Sequence, residues 1–262
     1  MKFEYTTVMN FTNALRGMRN PKESWHKNDT VERICSPNYC SAKDCGECDN
    51  CKPTGYCGIC VSIGKNDMKL AQQLIRAGSE HRKFMRQIFV SVDVTAPLYW
   101  WKEFDTYKVG TTANSTSTMH KLTSKPITLD CFEIDDYDGN IEIYKNIETV
   151  CEHSYKTKDF AEGTIEDLEA IRKRYLETKD KKTWKELIRW LPESWLQTRT
   201  VTMTYENLLA MCSKGQRRFH KLNEWSGVDN DALTYFIKWA RTLPYAQELI
   251  FIDEVIEDEK KG

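Results

Sequence analysis

The sequence has no excess of charge of either sign. Lys and Arg number 38 against 39 Asp and Glu, so the formal net charge is −1 at pH 7. Proteins that bind DNA or RNA over a wide surface are usually basic, so we expect no nucleic-acid partner of that kind and at most a local basic site. Hydrophobic residues make up 40% and charged residues 29% of the chain, which is ordinary for a globular protein with a substantial core.

A long apolar run is also missing. No window approaches the roughly 18 apolar residues that a membrane-spanning helix needs, so we expect no membrane partner. The N-terminal "MKFEYTTVMNFTNALRGM" lacks the basic start, apolar run and cleavage site of a signal peptide. These absences predict a cytoplasmic protein, in which thiols stay reduced and clustered cysteines bind metal more often than they form disulfides.

Three common catalytic motifs are absent. The chain contains no G-x-S-x-G, Walker A or G-x-G-x-x-G pattern, which excludes the usual hydrolase, P-loop and Rossmann interpretations. There is no internal repeat and no obvious interdomain linker. We therefore predict one α+β domain over residues 1–262, decorated by a Cys-rich insertion at 35–60.

The periodicity predicts an alternation of strands and helices in the first half of the chain. Residues 2–9 and the stretch "QIFVSVDVTAP" alternate as strands do, and Phe11–Met18 forms a short helix. A further helix begins with Asn66 or Asp67 as its N-cap. Another opens at Pro97 and ends at Gly110.

The second half is predicted to be mainly helical. A hairpin or loop insertion turns at Asp138-Gly139, and Thr164 caps a helix with Asp167 three residues on. The segment "KTWKELIRWL" predicts another helix, and "RTVTMT" a short strand. The stretch "YENLLAMCSKGQRRFHKLNEW" is predicted as one helix, with residues 217, 220, 221 and 224 on one face.

Seven of the ten cysteines lie in the stretch from Cys35 to Cys60, with the spacing C-x4-C-x4-C-x2-C-x2-C-x5-C-x2-C. Two C-x2-C pairs present four thiolates, which is the ligand set of a closed structural zinc site. Cys45/Cys48 or Cys48/Cys51 would combine with Cys57/Cys60. An iron–sulfur cluster is the alternative, because "CGECDNC" shares the C-x2-C-x2-C spacing of ferredoxins. Unmetallated or disulfide-linked thiols are a third interpretation.

Hydroxyl and amide side chains gather after the aromatic-rich helix predicted from Pro97 to Gly110, at Asn114, Ser115, Thr116, Ser117 and Thr118. Such a loop can bind a phosphate or the polar groups of a nucleotide. The countercharge would come from cations nearby in the sequence, namely Lys102, Lys108, Arg82 and Arg86. The alternative is a polar surface turn after a core helix.

A basic segment, "KGQRRFHKLNEW", is the third candidate. Arg217 and Arg218 can grip a phosphate with two parallel hydrogen bonds, whereas the alternative is a solvated basic helix face.

Together the last two segments resemble the flavin-dependent thymidylate synthase family, as a divergent branch with an inserted Cys-rich loop. That family carries E-H before a strand, then A-P, then a helix with R-Q. The signature R-H-R-x2-S-x-N-E-x-S-x-R-Y follows, and R-x3-H-A-Q-W-E-I comes far downstream. The chain has Glu80-His81 and Ala96-Pro97 at the first two positions and Lys102-Glu103 where R-Q is expected. Thr106-Tyr107-Lys108 falls on R-H-R, Thr111 and Thr116 on the two Ser, Asn114 on the Glu and Thr118 on the following Arg. Downstream, His220 and Glu224 fall on the family's His and Glu, and Arg217 lies one position from its Arg.

The resemblance implies a mixed or antiparallel sheet with packed helices and the reductive methylation of dUMP to dTMP, or of a related pyrimidine nucleotide. Methylenetetrahydrofolate would supply the carbon, reduced FAD the hydride, and NADPH the electrons for the flavin. The implied assembly is a homotetramer with active sites between subunits, and no enzyme cysteine nucleophile is implied. We accordingly assign no catalytic residue.

The resemblance also implies the site residues. Those expected to bind the cofactor are His81, Tyr107, Lys108, Thr111 and Asn114. Those expected to bind the substrate are Lys102, Glu103, Ser115, Thr116, Ser117, Thr118, Arg217 and Arg218. The expected metal ligands follow from the cysteine spacing and not from the resemblance; they are Cys45, Cys48, Cys51, Cys57 and Cys60.

Two other functions fit the same sequence. One is a nucleotide-binding homologue that has lost catalysis, because Thr106-Tyr107-Lys108 stands where the family has R-H-R. The other is an interaction protein in which the zinc-braced cysteine loop contacts a partner.

Overall fold

The computed structural model describes residues 1–34, 59–145, 153–217, 220–226 and 236–254. Within these ranges the strands are β1 Lys2–Met9, β2 Val31–Ile34, β3 Ile59–Ser62, β4 Phe89–Pro97, β5 Thr112–Ser115, β6 Glu142–Lys145, β7 His153–Lys156 and β8 Leu196–Thr204. The α-helices are α1 Phe11–Gly17, α2 Lys65–Arg76, α3 Leu98–Phe104, α4 Thr118–Lys121, α5 Thr157–Thr178, α6 Lys181–Arg189, α7 Tyr205–Cys212, α8 Lys214–Arg217, α9 Asn223–Ser226, α10 Phe236–Arg241 and α11 Ala246–Leu249. Short 3-10 helices cover Asn20–Lys22, Trp25–Lys27, Lys83–Gln87, Asp105–Tyr107 and Leu129–Cys131.

The strands form one larger sheet and two small ones. The four-stranded sheet has the order β1-β4-β8-β5, and the hairpins β2-β3 and β6-β7 are antiparallel. The separate strands and helices along the chain confirm the predicted α+β class.

The chain divides into two compact units. The first unit comprises Met1, Thr95–Lys102 and Ser115–Arg199, and the second comprises Lys2–Val94, Glu103–Asn114 and Thr200–Gly262.

The first unit has its core where α5 packs against α6. Its buried members are Leu122, Ile127, Phe132, Leu168 and Leu187. Glu169 and Arg172 on α5 anchor the preceding loop to this core, because Glu169 accepts from the Ile127 N–H and Arg172 donates to the Thr123 carbonyl. The loop from Thr123 to Ile127 is therefore held by charged side chains as well as by apolar packing.

The second unit buries one face of β4. The alternation predicted from the sequence is confirmed, since Ile88, Val90, Val92 and Val94 are buried. The helices α1 and α7 both contact the 3-10 helix Lys83–Gln87 that precedes this strand.

The start of α2 corrects the predicted N-cap. The N-cap position is occupied by Gly64, and the Asp29 carboxylate accepts from the N–H groups of Asn66 and Asp67. A Cβ at Gly64 would clash with the side chain and the carbonyl of Asp29, so the close approach requires glycine. Asp67 is instead buried and pairs with Arg19, with Nε and Oδ1 2.6 Å apart.

The start of α5 also differs from the prediction. The helix begins at Thr157, seven residues before Thr164, and the Asp159 carboxylate accepts from the Lys156 N–H. Thr164 lies inside the helix, where its hydroxyl donates to the Phe160 carbonyl. A Thr followed three residues later by Asp satisfies the capping pattern in sequence, but the helix extends further upstream.

The predicted turn at Asp138-Gly139 is not the turn of the hairpin. Strand β6 begins after it and pairs with β7, with Glu142 opposite Lys156. Asp138 instead stabilises a local turn, because its carboxylate accepts from the Asn140 N–H.

The single helix predicted over 205–225 is broken into three. Helix α7 ends at Cys212, α8 covers Lys214–Arg217, and α9 begins at Asn223. His220 lies outside all three, so residues 217, 220, 221 and 224 do not share a helix face.

The strands that flank the cysteine segment, β2 and β3, pair with each other. In the β2-β3 pair Ile34 lies opposite Ile59, and Arg33 lies opposite Cys60. The predicted ligands Cys45, Cys48, Cys51 and Cys57 lie outside the described residues. The base of the hairpin is tied to the start of α11 by the Tyr245 hydroxyl, which donates to the Val61 carbonyl and accepts from the Ile63 N–H.

Among the described helices, none combines the length and the apolar character needed to cross a membrane.

Candidate functional site

A short turn in the second unit carries the residues that align with R-H-R. The 3-10 helix Asp105–Tyr107 follows α3, and the Thr111 N–H donates to the Lys108 carbonyl to close the turn. Lys108 is exposed and Val109 is 90% exposed. We call residues 105–111 the tied turn, because side chains from elsewhere in the sequence hold Val109 within it and the end of α3 just before it.

Asn207 on α7 holds the C-terminal end of the tied turn. Its Nδ2 donates to the Val109 carbonyl at 2.6 Å, and its Oδ1 accepts from the Thr204 N–H at 2.9 Å and hydroxyl at 2.7 Å. Gly110 adopts a φ of +82°, and a Cβ there would lie 3.2 Å from the Asn207 Oδ1. Backbone conformation and space therefore both favour glycine at this position.

His220 contacts Glu103 at the end of α3, two residues before the tied turn. Its Nδ1 lies 3.0 Å from Glu103 Oε1, and its Nε2 lies 3.3 Å from the Met211 carbonyl. Since a carbonyl oxygen can only accept, the second contact requires the proton on Nε2. The first contact is then a hydrogen bond with one proton between Nδ1 and the Glu103 carboxyl group. The His220 side chain is only 1% exposed.

Aromatic rings pack beside this contact. Trp225 stacks on His220 with ring centres 4.4 Å apart and planes 8° apart, and Phe236 meets Trp225 edge-on at 4.9 Å. Tyr107 is half-buried and lies 5.9 Å from Trp225 and 6.4 Å from His220. The rings anchor Tyr107 while Lys108 next to it remains exposed, so one aromatic ring and one cation are presented from a fixed turn.

Arg82 and Arg86, which the sequence offered as countercharges, are engaged elsewhere in the second unit. Both donate to the Glu206 carboxylate on α7. Burial by itself raises the pKa of Glu206, but the hydrogen bonds from Arg86 and Arg82 outweigh it and lower the pKa below its ordinary value. Because the carboxylate stays ionised, these two guanidinium groups are already paired.

The hydroxyl-rich segment of the first unit, residues 115–118, is called the hydroxyl loop here. The Thr116 N–H donates to the Thr198 carbonyl at 2.8 Å, and the Thr116 carbonyl accepts from Gln197 Nε2 at 2.9 Å. The Ser117 hydroxyl caps α4 by accepting from the His120 N–H at 3.2 Å. The Thr116 backbone is thus paired with β8 and the Ser117 hydroxyl with α4, and the side chains of Ser115 and Thr116 are exposed.

Lys102 forms a surface ion pair in the first unit. Its Nζ lies 2.6 Å from Glu193 Oε1, with the side chains 70% and 52% exposed. An exposed pair of this kind holds its partners weakly, so a phosphate can compete for the ammonium.

The remaining predicted residues are placed as follows. His81 lies exposed in the turn before Lys83–Gln87, and Asn114 lies exposed in β5. Arg217 belongs to α8, and Arg218 lies outside the described residues. Within the part of the chain that the structure describes, no three His, Cys, Asp or Glu side chains come together as metal ligands.

An open groove of about 540 Å³ lies on the first unit. It is lined chiefly by Ile127, Leu129, Tyr137, Lys158 and Ile165, and none of the predicted site residues borders it.

Sequence reasoning left Asn207, His220 and Trp225 out of the site. His220 was matched to the family motif, but its contact with Glu103 joins positions 117 residues apart. For Asn207 the available signal is its spacing from Thr204, which predicts a helix cap and not a contact with Val109.

Comparison with known proteins places the fold. No family profile matches the sequence, and no curated protein matches it. The flavin-dependent thymidylate synthase of Helicobacter pylori with FAD and dUMP is similar with a TM-score of 0.56 at 11% identity, over 97% of this chain and 99% of that one. A second structure of that enzyme with FAD and dUMP gives a TM-score of 0.55 at 11% identity, over 97% and 98%.

A UMP/dUMP methylase from Streptomyces cacaoi bound with 5-Br UMP gives a TM-score of 0.44 at 13% identity, over 86% and 95% of the two chains, which does not establish a shared fold. The two Helicobacter pylori structures show that this chain has the fold of the flavin-dependent thymidylate synthase, which confirms the predicted fold.

Proposed function

We propose that the chain is a flavin-dependent enzyme that methylates a pyrimidine nucleotide, converting dUMP to dTMP or acting on a related nucleotide. The observation that carries the proposal is the likeness to an enzyme solved with FAD and dUMP, which extends over 97% of this chain. Because the likeness covers nearly the whole length of both chains, this chain has counterparts of the elements that form the site in that enzyme. Fold alone does not determine chemistry, so the residues of the site must support the same conclusion.

The tied turn supports the choice of FAD. A flavin offers a flat ring and a diphosphate, and the turn offers an aromatic ring at Tyr107 next to the exposed ammonium of Lys108. Rings stack on rings and an ammonium pairs with phosphate oxygens, so the groups present fit this cofactor. Thr111, Asn114 and His81 complete the proposed cofactor set.

When bound, reduced FAD would supply the hydride, after NADPH has reduced it, and methylenetetrahydrofolate would supply the carbon. The residues of the chain bind and orient these groups. The proposed nucleotide contacts are Lys102 and Glu103, the hydroxyl loop Ser115, Thr116, Ser117 and Thr118, and Arg217 and Arg218. Lys102 would exchange Glu193 for the nucleotide phosphate.

A homotetramer with sites shared between subunits belongs to the proposal, as does a cytoplasmic location. The exposure of all four residues of β5 supports a shared site, because the edge next to the hydroxyl loop is open in a single chain. Sedimentation of the purified protein, with and without FAD, tests the assembly.

The visible spectrum of the purified protein and acid release of its chromophore test the cofactor. Released FAD supports the proposal, whereas a colourless protein that takes up no added FAD refutes it. Loss of tritium from dUMP labelled at ring carbon 5, with folate and NADPH supplied, tests the reaction, since the new methyl group replaces that hydrogen.

A nucleotide-binding protein without catalysis is the second candidate. The observation in its favour is that Thr106 and Tyr107 stand in the tied turn where the family has Arg and His, so the planar guanidinium is missing. Tight binding of dUMP and FAD without tritium release would identify this second function.

We also propose a structural zinc site in the segment 35–60, formed by Cys57 and Cys60 with Cys48 and either Cys45 or Cys51. The pairing of Ile34 with Ile59 supports it, because a hairpin base brings the two ends of the segment together before any metal binds. Metal analysis should find one zinc per chain and no iron. A broad brown absorbance with iron and sulfide would favour the cluster, and metal-free protein would refute both.

A further inference from the structure

The tied turn lies at the surface, and its backbone is held by the Asn207 side chain and by the Thr111 N–H, which donates to the Lys108 carbonyl. Val109 is 90% exposed and Lys108 is exposed, so these side chains contribute little apolar burial. Apolar burial is the usual source of order in a folded chain. The aromatic contacts hold Tyr107, whereas the exposed residues 108–110 depend on hydrogen bonds for their order.

The orientation of the Asn207 amide is determined by its partners. Its oxygen faces two donors on Thr204, and its nitrogen faces the Val109 carbonyl. A flipped amide would place NH₂ against a backbone N–H and an oxygen against a carbonyl, which loses the contacts with both backbone groups. Asn207 thus connects the rigid start of α7 to one carbonyl of the turn in a single orientation.

Gly110 adds an independent constraint at the same place. Its φ of +82° lies in the left-handed region, and a side chain there would press against Asn207. The Asn207 side chain therefore constrains two neighbouring residues: it binds the Val109 carbonyl and leaves room only for glycine at position 110.

We infer that Asn207 is a positioning residue for the cofactor: it fixes the Lys108–Gly110 backbone so that Tyr107 and Lys108 are presented in a binding conformation before the ligand arrives. The inference rests on the proposed function, because FAD is the ligand the turn would receive. A turn ordered in advance spares the ligand the entropic cost of ordering it.

Two variants separate this role from support of the helix. Asn207→Asp keeps the oxygen that accepts from Thr204 and loses the donor to Val109. Thr204→Ala loses the hydroxyl that caps α7, while the Thr204 N–H still orients Asn207. The expected result is FAD affinity about tenfold weaker in N207D with a melting temperature close to wild type, from the loss of one hydrogen bond. T204A should show a lower melting temperature and an FAD affinity within about twofold of wild type.

Titration of full-length apoprotein with FAD, followed by flavin fluorescence, gives the affinities, and a thermal melt of each variant gives the stability. Gly110→Ala is the second route, because it strains the turn and keeps Asn207. It should also weaken FAD binding by about tenfold or more, even if N207D fails to fold.

The outcomes are distinct. Wild type that binds FAD together with N207D and G110A of unchanged affinity overturns the inference and leaves the proposed function standing. An equal loss in N207D and T204A, in proportion to their melting temperatures, also overturns it, because the role is then only structural. Wild type that binds no FAD overturns both the inference and the proposed function.

Discussion

The tied turn and the hydroxyl loop are both short, polar and exposed, but they differ in which polar side chains face solvent and which hold the backbone. In the tied turn the fixing groups come from distant residues, Asn207 and His220, and the turn's own Lys108 is left facing solvent. In the hydroxyl loop the Thr116 backbone is paired with Thr198 and Gln197, and the Ser117 hydroxyl caps α4, while the side chains of Ser115 and Thr116 are exposed. A polar composition therefore does not by itself show that groups are left over for a ligand.

The comparison can be tested by removing contacts from each region, in order of the expected loss in the free energy of unfolding.

Glu103→Leu is expected to have the largest effect. It leaves the buried Nδ1 of His220 without its partner, which should cost about 2–3 kcal/mol and weaken FAD binding with it. Glu103→Gln is the matched control, since its amide can donate to a neutral Nδ1, and should cost less than about 1 kcal/mol. Urea unfolding of both variants measures the difference. Equal losses in the two would contradict a hydrogen-bonded tie.

Glu169→Gln tests how the chain after the hydroxyl loop is anchored. Hydrogen bonding from Arg172 lowers the pKa of Glu169 from 4.5 to about 2, against the opposing effect of burial. A lowered pKa in the folded protein contributes stability above pH 4.5, which is lost as the pH falls towards 2. The variant should therefore lose about 2 kcal/mol at pH 7 and approach wild type near pH 2.

Glu162→Gln on the same helix is the control, because its pair with Lys158 is exposed and should contribute almost nothing. The urea concentration at the unfolding midpoint, measured for wild type and both variants at several pH values, gives the comparison. A deficit of E169Q that stays constant down to pH 2 would show that the charge of Glu169 is not its cause.

Ser117→Ala should have a smaller effect, a loss of about 0.5–1 kcal/mol from the cap of α4. Ser115→Ala, which removes an exposed hydroxyl from β5, should leave stability unchanged. Calorimetric titration with dUMP then separates the two roles of the loop. If the hydroxyl loop binds the nucleotide as proposed, Ser115→Ala weakens dUMP binding without a change in melting temperature, and unchanged binding would remove Ser115 from the site.

Lys102→Met should have the smallest effect on stability, below about 0.5 kcal/mol, because its pair with Glu193 is exposed. Its effect on dUMP binding should be clear, a loss of affinity of about tenfold if the ammonium contacts the phosphate. Glu193→Gln breaks the same ion pair and should not weaken dUMP binding. Similar losses in both variants would assign the effect to the ion pair and not to Lys102.

The local pattern of the sequence predicted most elements correctly, and it failed where residues distant in the sequence determine the end of an element. The alternation from Ile88 to Val94 predicted β4 because side chains alternate across a strand wherever one face is buried. Thr164 satisfied a capping pattern, but the helix continues upstream because Asp159 caps it at Lys156. The cap of α2 comes from Asp29, which lies 38 residues before Asp67 and which no local pattern indicates.

The sequence by itself determined the α+β class, the buried face of β4 and the position of a ring and a cation at Tyr107 and Lys108. These follow from periodicity and from side-chain chemistry, which are local properties. Only the tertiary structure decided which polar groups remain for a ligand. Arg82 and Arg86 are committed to Glu206, whereas Asn207 and His220 hold the turn that leaves Lys108 exposed. The reason is that a hydrogen bond between residues about a hundred positions apart depends on how the chain folds back, and this leaves no periodic signal in the sequence.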